Sequence, residues 1–551
     1  VKADLILRNA NLVNVLTSEI YVSDICLKDG RIAGFDPGCG AASEMDCAGK
    51  YVTPAFIEGH IHLESLHVLP GEISAPALAN GVTAMICDPH EIANAGGAEG
   101  IEFLLSLSED EKVDYFFMLP SCVPASSFET SGADFGPDKM KSLMSNARVI
   151  GLGEVMDYVS VISEDPALRK KLDLFEGGVI DGHCPGLRGR ALDDYIRHGI
   201  YSDHETEDPE EALEKIRKGM YLMIRSGSTT DSSALLRLIH PGNDSRFMIV
   251  SDDNSPGDLY ASRFLLHRLR KMSAFSDPLT IVKGLTVNPA AYFRMYDRGS
   301  VSPGKKADLL IFDDLAGFDL RMTIKDGAVA YDRDAPAAAR TRAVNPERSG
   351  RFSLRPFTPE DFAVEDKGRD VRVIGIRPGS ILTDSLTERL KGRGGRLFSD
   401  IGRDIVKCAV IERYSGKSGY SVGFIKGSGL KKGALATTFN HDAHNVFVMG
   451  ADDALMAGAV NRLREAGGGI YFSDGQREEL IPLNIYGIIS GLPLSDVADT
   501  TVNMERLMKD SGVAIDNPLT LFSFMSLSVI PRLKITDRCL VEDNREAGLY
   551  V

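Results

Sequence analysis

The chain of 551 residues has no C-x-x-C pair, and its 8 cysteines lie scattered at 26, 39, 47, 87, 122, 184, 408 and 539. That spacing excludes a disulfide miniprotein and suggests free thiols in a reducing compartment. No stretch approaches the roughly eighteen uninterrupted apolar residues of a membrane span. The opening VKADLILRNANLV has no charged region followed by an apolar one, so no secretory signal is expected. Positive charge is in deficit, with 62 Lys and Arg against 78 Asp and Glu, a net charge of −16. That balance argues against nucleic acid and anionic membranes as partners. A 43% apolar and 25% charged composition excludes a disordered or fibrous chain. The expectation is a soluble, cytoplasmic protein of several domains.

A faint repeat links the two flanks of a central block. ADLILRNANLV with ICLKDGRIAGF stands near the start, and ADLLIFDDLAGFDLRMTIKDGAVAYD stands after residue 306. Asp29-Gly30 and Asp326-Gly327 sit between apolar runs and predict hairpin turns. The two flanks, 1–53 and 298–332, are expected to form one split β-domain of sandwich type.

The block 54–297 alternates strands and helices. Its eight apolar runs are Thr53–Ile57, Val82–Ile86, Tyr115–Leu119, Val149–Gly153, Gly178–Ile180, Ile200–Ser202, Tyr221–Ile224 and Phe247–Val250. Asp208, Pro209 and Gly219 mark the cap, first turn and stop of one intervening helix. Eight β/α units in that length predict an α/β fold with a distorted (β/α)8 barrel of TIM type. A polar linker, 333–356, leads to an α+β domain over 357–551, within the normal domain range. VRVIGI, IVKCAVIERY, YSVGFIKGSG and NVFVMG read there as strands, and ADDALMAGAVNRLREAGGG as a helix.

The strongest local signal is His60-Ile61-His62. Residues i and i+2 of a strand face one side, so both imidazoles would project at the strand's C-terminal end, where barrel active sites lie. Glu154, His183, His204 and the pair Asp252-Asp253 fall at the ends of other runs. Four of 11 histidines thus meet two carboxylate positions. That donor set suits a hard or borderline divalent metal and is large enough for two ions about 4 Å apart with one carboxylate between them.

These residues, with the split β-domain, resemble the amidohydrolase superfamily. Longer motifs resemble its bacterial and archaeal adenine deaminases: GHIHLES (59–65), DPHEIAN (88–94), PSCVPAS (120–126), GLGEVMDY (151–158), DGHCPGL (181–187) and SDHE (202–205). NHDAHNVFVMG (440–450), GGGIYF (467–472) and VIPRLKITDRCLV (529–541) extend the resemblance through the last domain. It implies hydrolysis of adenine to hypoxanthine and ammonia, with purine as the small-molecule substrate. The implied cofactor is two divalent ions, manganese or iron, with zinc also compatible with the donors. His60, His62 and Asp252 would hold one ion, His183 and His204 the other, with Glu154 between them. Hydroxide would attack C6, and Asp252 is the candidate for moving a proton to the departing ammonia, or else is purely a ligand.

Other positions stay open. His90 is either close to substrate or metal, or a loop-stabilising group. Glu64 and Glu205 either bond a ring nitrogen of adenine or orient a ligand histidine. Ser121 and Cys122 are candidates for the pocket wall, whereas Cys184 should face away. His441, Asp442, His444 and Asn445 are a further metal site, a lid over the barrel mouth, or a structural turn. Where the family usually has a basic residue and His-Pro after the strand-eight acidic pair, Asn254-Ser255-Pro256 stands, and Leu66 replaces a family serine. Ser255 is therefore expected to alter rate or substrate. Alternatives are an amidohydrolase of another aromatic base or cyclic amide, and a non-catalytic homologue. A homodimer is left open.

Overall fold

The computed structural model describes residues 2–35, 38, 40–228, 230–261, 264–335 and 350–551. Most of the expected linker lies outside them.

The two flanks share one eight-stranded sheet. Its seam is the antiparallel pairing of Tyr51–Pro54 with Leu309–Asp314, where Leu309 faces Pro54 and Phe312 faces Tyr51. Both expected two-residue turns are present. Asp29 and Gly30 have φ of 49° and 72°, and Asp326 and Gly327 have φ of 48° and 77°. Positive φ at both central residues matches the twist of the flanking strands, and Asp-Gly tolerates it.

The central block holds eight parallel strands: β1 (Phe56–Ile61), β2 (Val82–Cys87), β3 (Asp114–Leu119), β4 (Val149–Val155), β5 (Ile180–Gly182), β6 (Ser202–Asp203), β7 (Tyr221–Arg225) and β8 (Phe247–Val250). They form a five-stranded sheet, β5-β4-β3-β2-β1, and a three-stranded one, β6-β7-β8. At one seam the Asp252 N–H donates to the His60 carbonyl at 2.9 Å. At the other the Gly182 N–H donates to Ser202 Oγ at 3.1 Å. The curled surface is buried on both faces, as parallel strands require.

Three expectations shift. The first run divides at Pro54, whose upstream residues join the flank sheet while Phe56 begins β1. Strands β5 and β6 each start two residues later than the sequence suggests, at Ile180 and Ser202. The helix after Asp208 is as expected: Pro209–Arg217, with the Asp208 carboxylate accepting from the Glu211 N–H.

The last region is built on an eight-stranded sheet that includes Val371–Ile376, Ile405–Ile411, Tyr420–Lys426 and Val446–Gly450. Helix Asp453–Ala466 packs beside it and ends at Gly467, in the left-handed conformation. Residues Ile381, His441, Asp442, Phe524 and Leu527 of this region cover the C-terminal ends of the parallel strands. No helix among the described residues is long and apolar enough to cross a membrane.

Candidate active site

Six side chains from four strand ends and the β8 loop converge. His60 and His62 follow from β1, Glu154 ends β4, His183 and His204 come directly after β5 and β6, and Asp252 follows β8. All six are buried. Asp252 Oδ1 lies 3.0 Å from His62 Nε2 and 3.5 Å from His60 Nε2. Glu154 Oε2 lies 2.6 Å from His183 Nδ1 and 3.1 Å from His204 Nε2. Its other oxygen is 3.4 Å from His62 Nε2, so Glu154 stands between the two histidine pairs. Donor atoms in triads such as Glu154–His183–His204 and His60–His62–Glu154 all fall within 4.8 Å of one another.

Several lone pairs here have no protein partner. Among the described residues, both ring nitrogens of His60, Nε2 of His183 and Nδ1 of His204 make no hydrogen bond. Buried polar atoms are rarely left so, and imidazole nitrogens facing carboxylates are the donors a divalent cation takes. His62 Nδ1 lies 2.9 Å from the Asp88 carbonyl, which must accept a proton from it. That contact leaves Nε2 as the free lone pair, directed at Asp252 and Glu154.

Arg225, at the end of β7, organises the carboxylates. It donates to Asp252 Oδ2 at 2.5 Å and to both oxygens of Glu205. Burial alone would raise the pKa of Asp252, but Arg225, His60 and His62 hold it well below the usual carboxylate range. Burial would likewise lower that of His183, yet Glu205 and Glu154 hold it up at about 9. Asp88 accepts from the Glu154 N–H at 2.8 Å and so fixes the backbone of β4 beneath the carboxylate.

A second cluster adjoins the first. Helix α1 (His90–Leu107) begins with His90 and Glu91. His90 Nδ1 is 3.6 Å from Glu154, and its Nε2 is 3.3 Å from Glu91 and 3.7 Å from Asp442. Glu91 also meets His441 at 2.6 Å and accepts from His444 Nε2. The last region therefore contributes side chains to the cavity, and the motif at 441–445 is neither remote nor only a turn.

Residues 51–332 match the amidohydrolase family, and 380–547 match the adenine deaminase C-terminal domain. An adenine deaminase of Carboxydothermus hydrogenoformans is 38% identical over 98% of this chain and 95% of that protein. One of Sinorhizobium fredii is 38% identical over 99% and 96%, and one of Brucella melitensis 39% over 98% and 93%. The chain belongs to the adenine deaminase family of amidohydrolases.

Its departures from the family pattern lie outside the cavity. Ser255 caps the short helix Pro256–Tyr260, its Oγ accepting from the Asp258 N–H at 3.1 Å. Asn254 donates to Ser251 Oγ and to the Asp252 carbonyl. Asp252 sits at a φ of 59°, the chain turns there, and Ser255 faces the following helix rather than the cavity. Asp253, by contrast, lines the cavity and accepts from Ser65 Oγ. Leu66 is buried in the main apolar core.

The other expected positions divide. Glu205 lines the cavity but is held by Arg225. Glu64 is absent from the cavity wall and accepts from the Ile92 N–H at 3.1 Å in the first turn of α1, with burial and then Glu91 raising its pKa to about 7. Ser121 and Cys122 are not in the wall either; Ser121 Oγ donates to the Glu154 carbonyl from behind. Cys184 is off the wall too, its N–H donating to Asp203. Sequence reasoning missed Arg225 and Glu91 as site residues. Arg225 had a signal, being a charged residue that ends the apolar run YLMIR at the same strand end as the others.

Proposed function

We propose that this member of the family hydrolyses adenine to hypoxanthine and ammonia, with His60, His62, Glu154, His183, His204 and Asp252 holding two divalent cations, manganese or iron in preference to zinc. The observation that carries this reading is the convergence of those six buried donors, several without hydrogen-bond partners among the described residues, at the C-terminal ends of the parallel strands of a chain that aligns with adenine deaminases along nearly its whole length. Cations held there would lower the pKa of water from 15.7 towards about 7 and so supply a nucleophile at neutral pH.

The protein's own groups do the rest. Asp252, kept ionised by Arg225, takes on Oδ1 the O–H proton of the water that adds to C6 and passes it to the amino group, which departs as ammonia rather than amide when the C6–N bond breaks. Arg225 fixes the Asp252 carboxylate by its other oxygen, so Oδ1 alone serves the reaction. His90 lies between Glu154 and Glu91, facing the substrate space. Ile381, Phe524 and Leu527 supply an apolar cover over the cavity, suited to excluding water from a flat purine.

On the same reading the two parallel sheets are one distorted (β/α)8 barrel, spanning 54–297 and closed through the Asp252–His60 hydrogen bond. The segments 1–53 and 298–332 form the split β-domain, built on one sheet rather than the sandwich expected from the sequence, 333–356 the linker and 357–551 the α+β domain. The substrate is a free purine base, and the setting is cytoplasmic. The test is ammonia and hypoxanthine release from adenine by manganese- or iron-loaded protein. No ammonia from adenine, alongside turnover of another base, would overturn it.

A further inference from the structure

We propose that the cluster around Glu91 is a third cation site, separate from the strand-end set, in which His90 and Glu91 of α1 and His441 and Asp442 of the last region ligate one zinc-like divalent ion. One donor atom from each of the four residues lies within 4.8 Å of the others. Ligands at about 2.0–2.2 Å from a common ion stand roughly 3–4 Å apart in tetrahedral or octahedral order. The spacings of His90 Nε2 to Glu91 and Asp442 Oδ1, 3.3 and 3.7 Å, and of His441 Nδ1 to Asp442 Oδ1, 3.7 Å, fit that range, while Glu91 Oε1 and His441 Nδ1 stand closer, at 2.6 Å.

Hydrogen bonding does not account for the arrangement. Neither oxygen of Asp442 accepts a hydrogen bond among the described residues, although the residue is 1% exposed. Glu91 Oε1 lies 2.6 Å from His441 Nδ1 yet makes no well-aligned hydrogen bond with it. Lone pairs thus converge on a shared point instead of meeting donors, and a buried charge without a donor requires a counter-charge. His444 supplies the support such a site needs: its Nδ1 faces the Asn440 N–H at 3.3 Å, so its Nε2 carries the proton given to Glu91 Oε2. His441 is further fixed by stacking on Phe524, with centroids 4.3 Å apart and planes at 6°.

Such an ion would fasten the last region to the start of α1 and so hold the cavity cover in place. His90 would face it through Nε2 and the strand-end set through Nδ1, placing one imidazole between the two centres.

The experiment counts zinc per chain in the full-length protein after zinc loading and desalting. Asp442→Asn and His441→Gln are each expected to lose one ion relative to the unmodified chain, and Glu154→Gln to lose strand-end zinc while keeping this one. Equal zinc in the unmodified chain and in either folded variant, judged by circular dichroism, overturns the proposal. Should a variant fail to fold, added zinc is read on Glu154→Gln alone: a rise in melting temperature supports the site, and no rise overturns it. Neither arm uses turnover, so failure of the adenine reading would leave this test intact.

Discussion

The strand-end cluster takes every member from a strand end or the loop just past it, whereas the cluster around Glu91 takes two residues from α1 and three from a segment 353 residues further on. The first is placed by the strands themselves: parallel strands present their C-terminal ends on one rim, so residues scattered from 60 to 252 arrive together. The second exists only if the last region docks. The strand-end groups should therefore govern chemistry, and the cross-region groups the closure of the cavity.

The hardest break of that division is Asp252→Asn. Its loss should cut adenine turnover by about 10²–10⁴-fold, the usual worth of a positioned proton carrier. Steady-state kinetics would read it, and a loss below tenfold would remove Asp252 from the reaction. Arg225→Met comes next. It touches Asp252 and Glu205 without being a donor to any cation, so a loss of roughly 10–100-fold in activity or metal affinity is expected. Metal titration beside kinetics would separate the two contributions.

Stability gives finer tests. Lys215 is buried in ion pairs with Asp203 at 3.0 Å and Glu211 at 2.6 Å behind β6. Lys215→Met leaves two carboxylates without their cation and should cost about 3–5 kcal/mol in denaturant unfolding. Lys534 sits under the cavity cover, donating among the described residues only to the carbonyls of Ile381 and Phe524. Burial pushes its pKa down from 10.5 to about 7. Between those values the unfolded chain binds a proton that the folded chain does not, so stability should rise as pH rises from about 7 to 10. Lys534→Met should flatten that rise in pH-dependent melts. The smallest effect is at Ser255. Ser255→Ala removes a helix cap and should cost about 1 kcal/mol with turnover unchanged; a change in rate would return Ser255 to the cavity.

The contrast also explains what was legible. His60 and His62 alternate on one strand, and Glu154, His183 and His204 each end an apolar run, so period and position were enough to find them. The Asp-Gly turns of the flanks were equally plain, since their φ demands fix residue type. Glu91 was not legible, because its partners are brought by tertiary docking that no local pattern encodes. The surroundings of Ser255 were not legible for a related reason. It stands three residues past Asp252 in sequence, but the left-handed turn at Asp252 and the helix start at Pro256 carry it away from the cavity. Strands β5 and β6 are so short that apolar runs set their starts two residues early, yet their ends stayed anchored by the histidines that follow.

The most direct measurement is the initial rate of ammonia release from adenine by manganese-loaded protein, run beside Asp252→Asn at equal metal content. The expected result is hypoxanthine formed in step with ammonia by the unmodified chain, and at least a hundredfold less by the variant. Equal rates for both chains, or no ammonia from adenine with the strand-end cations in place, would contradict the assignment of the chemistry to that cluster.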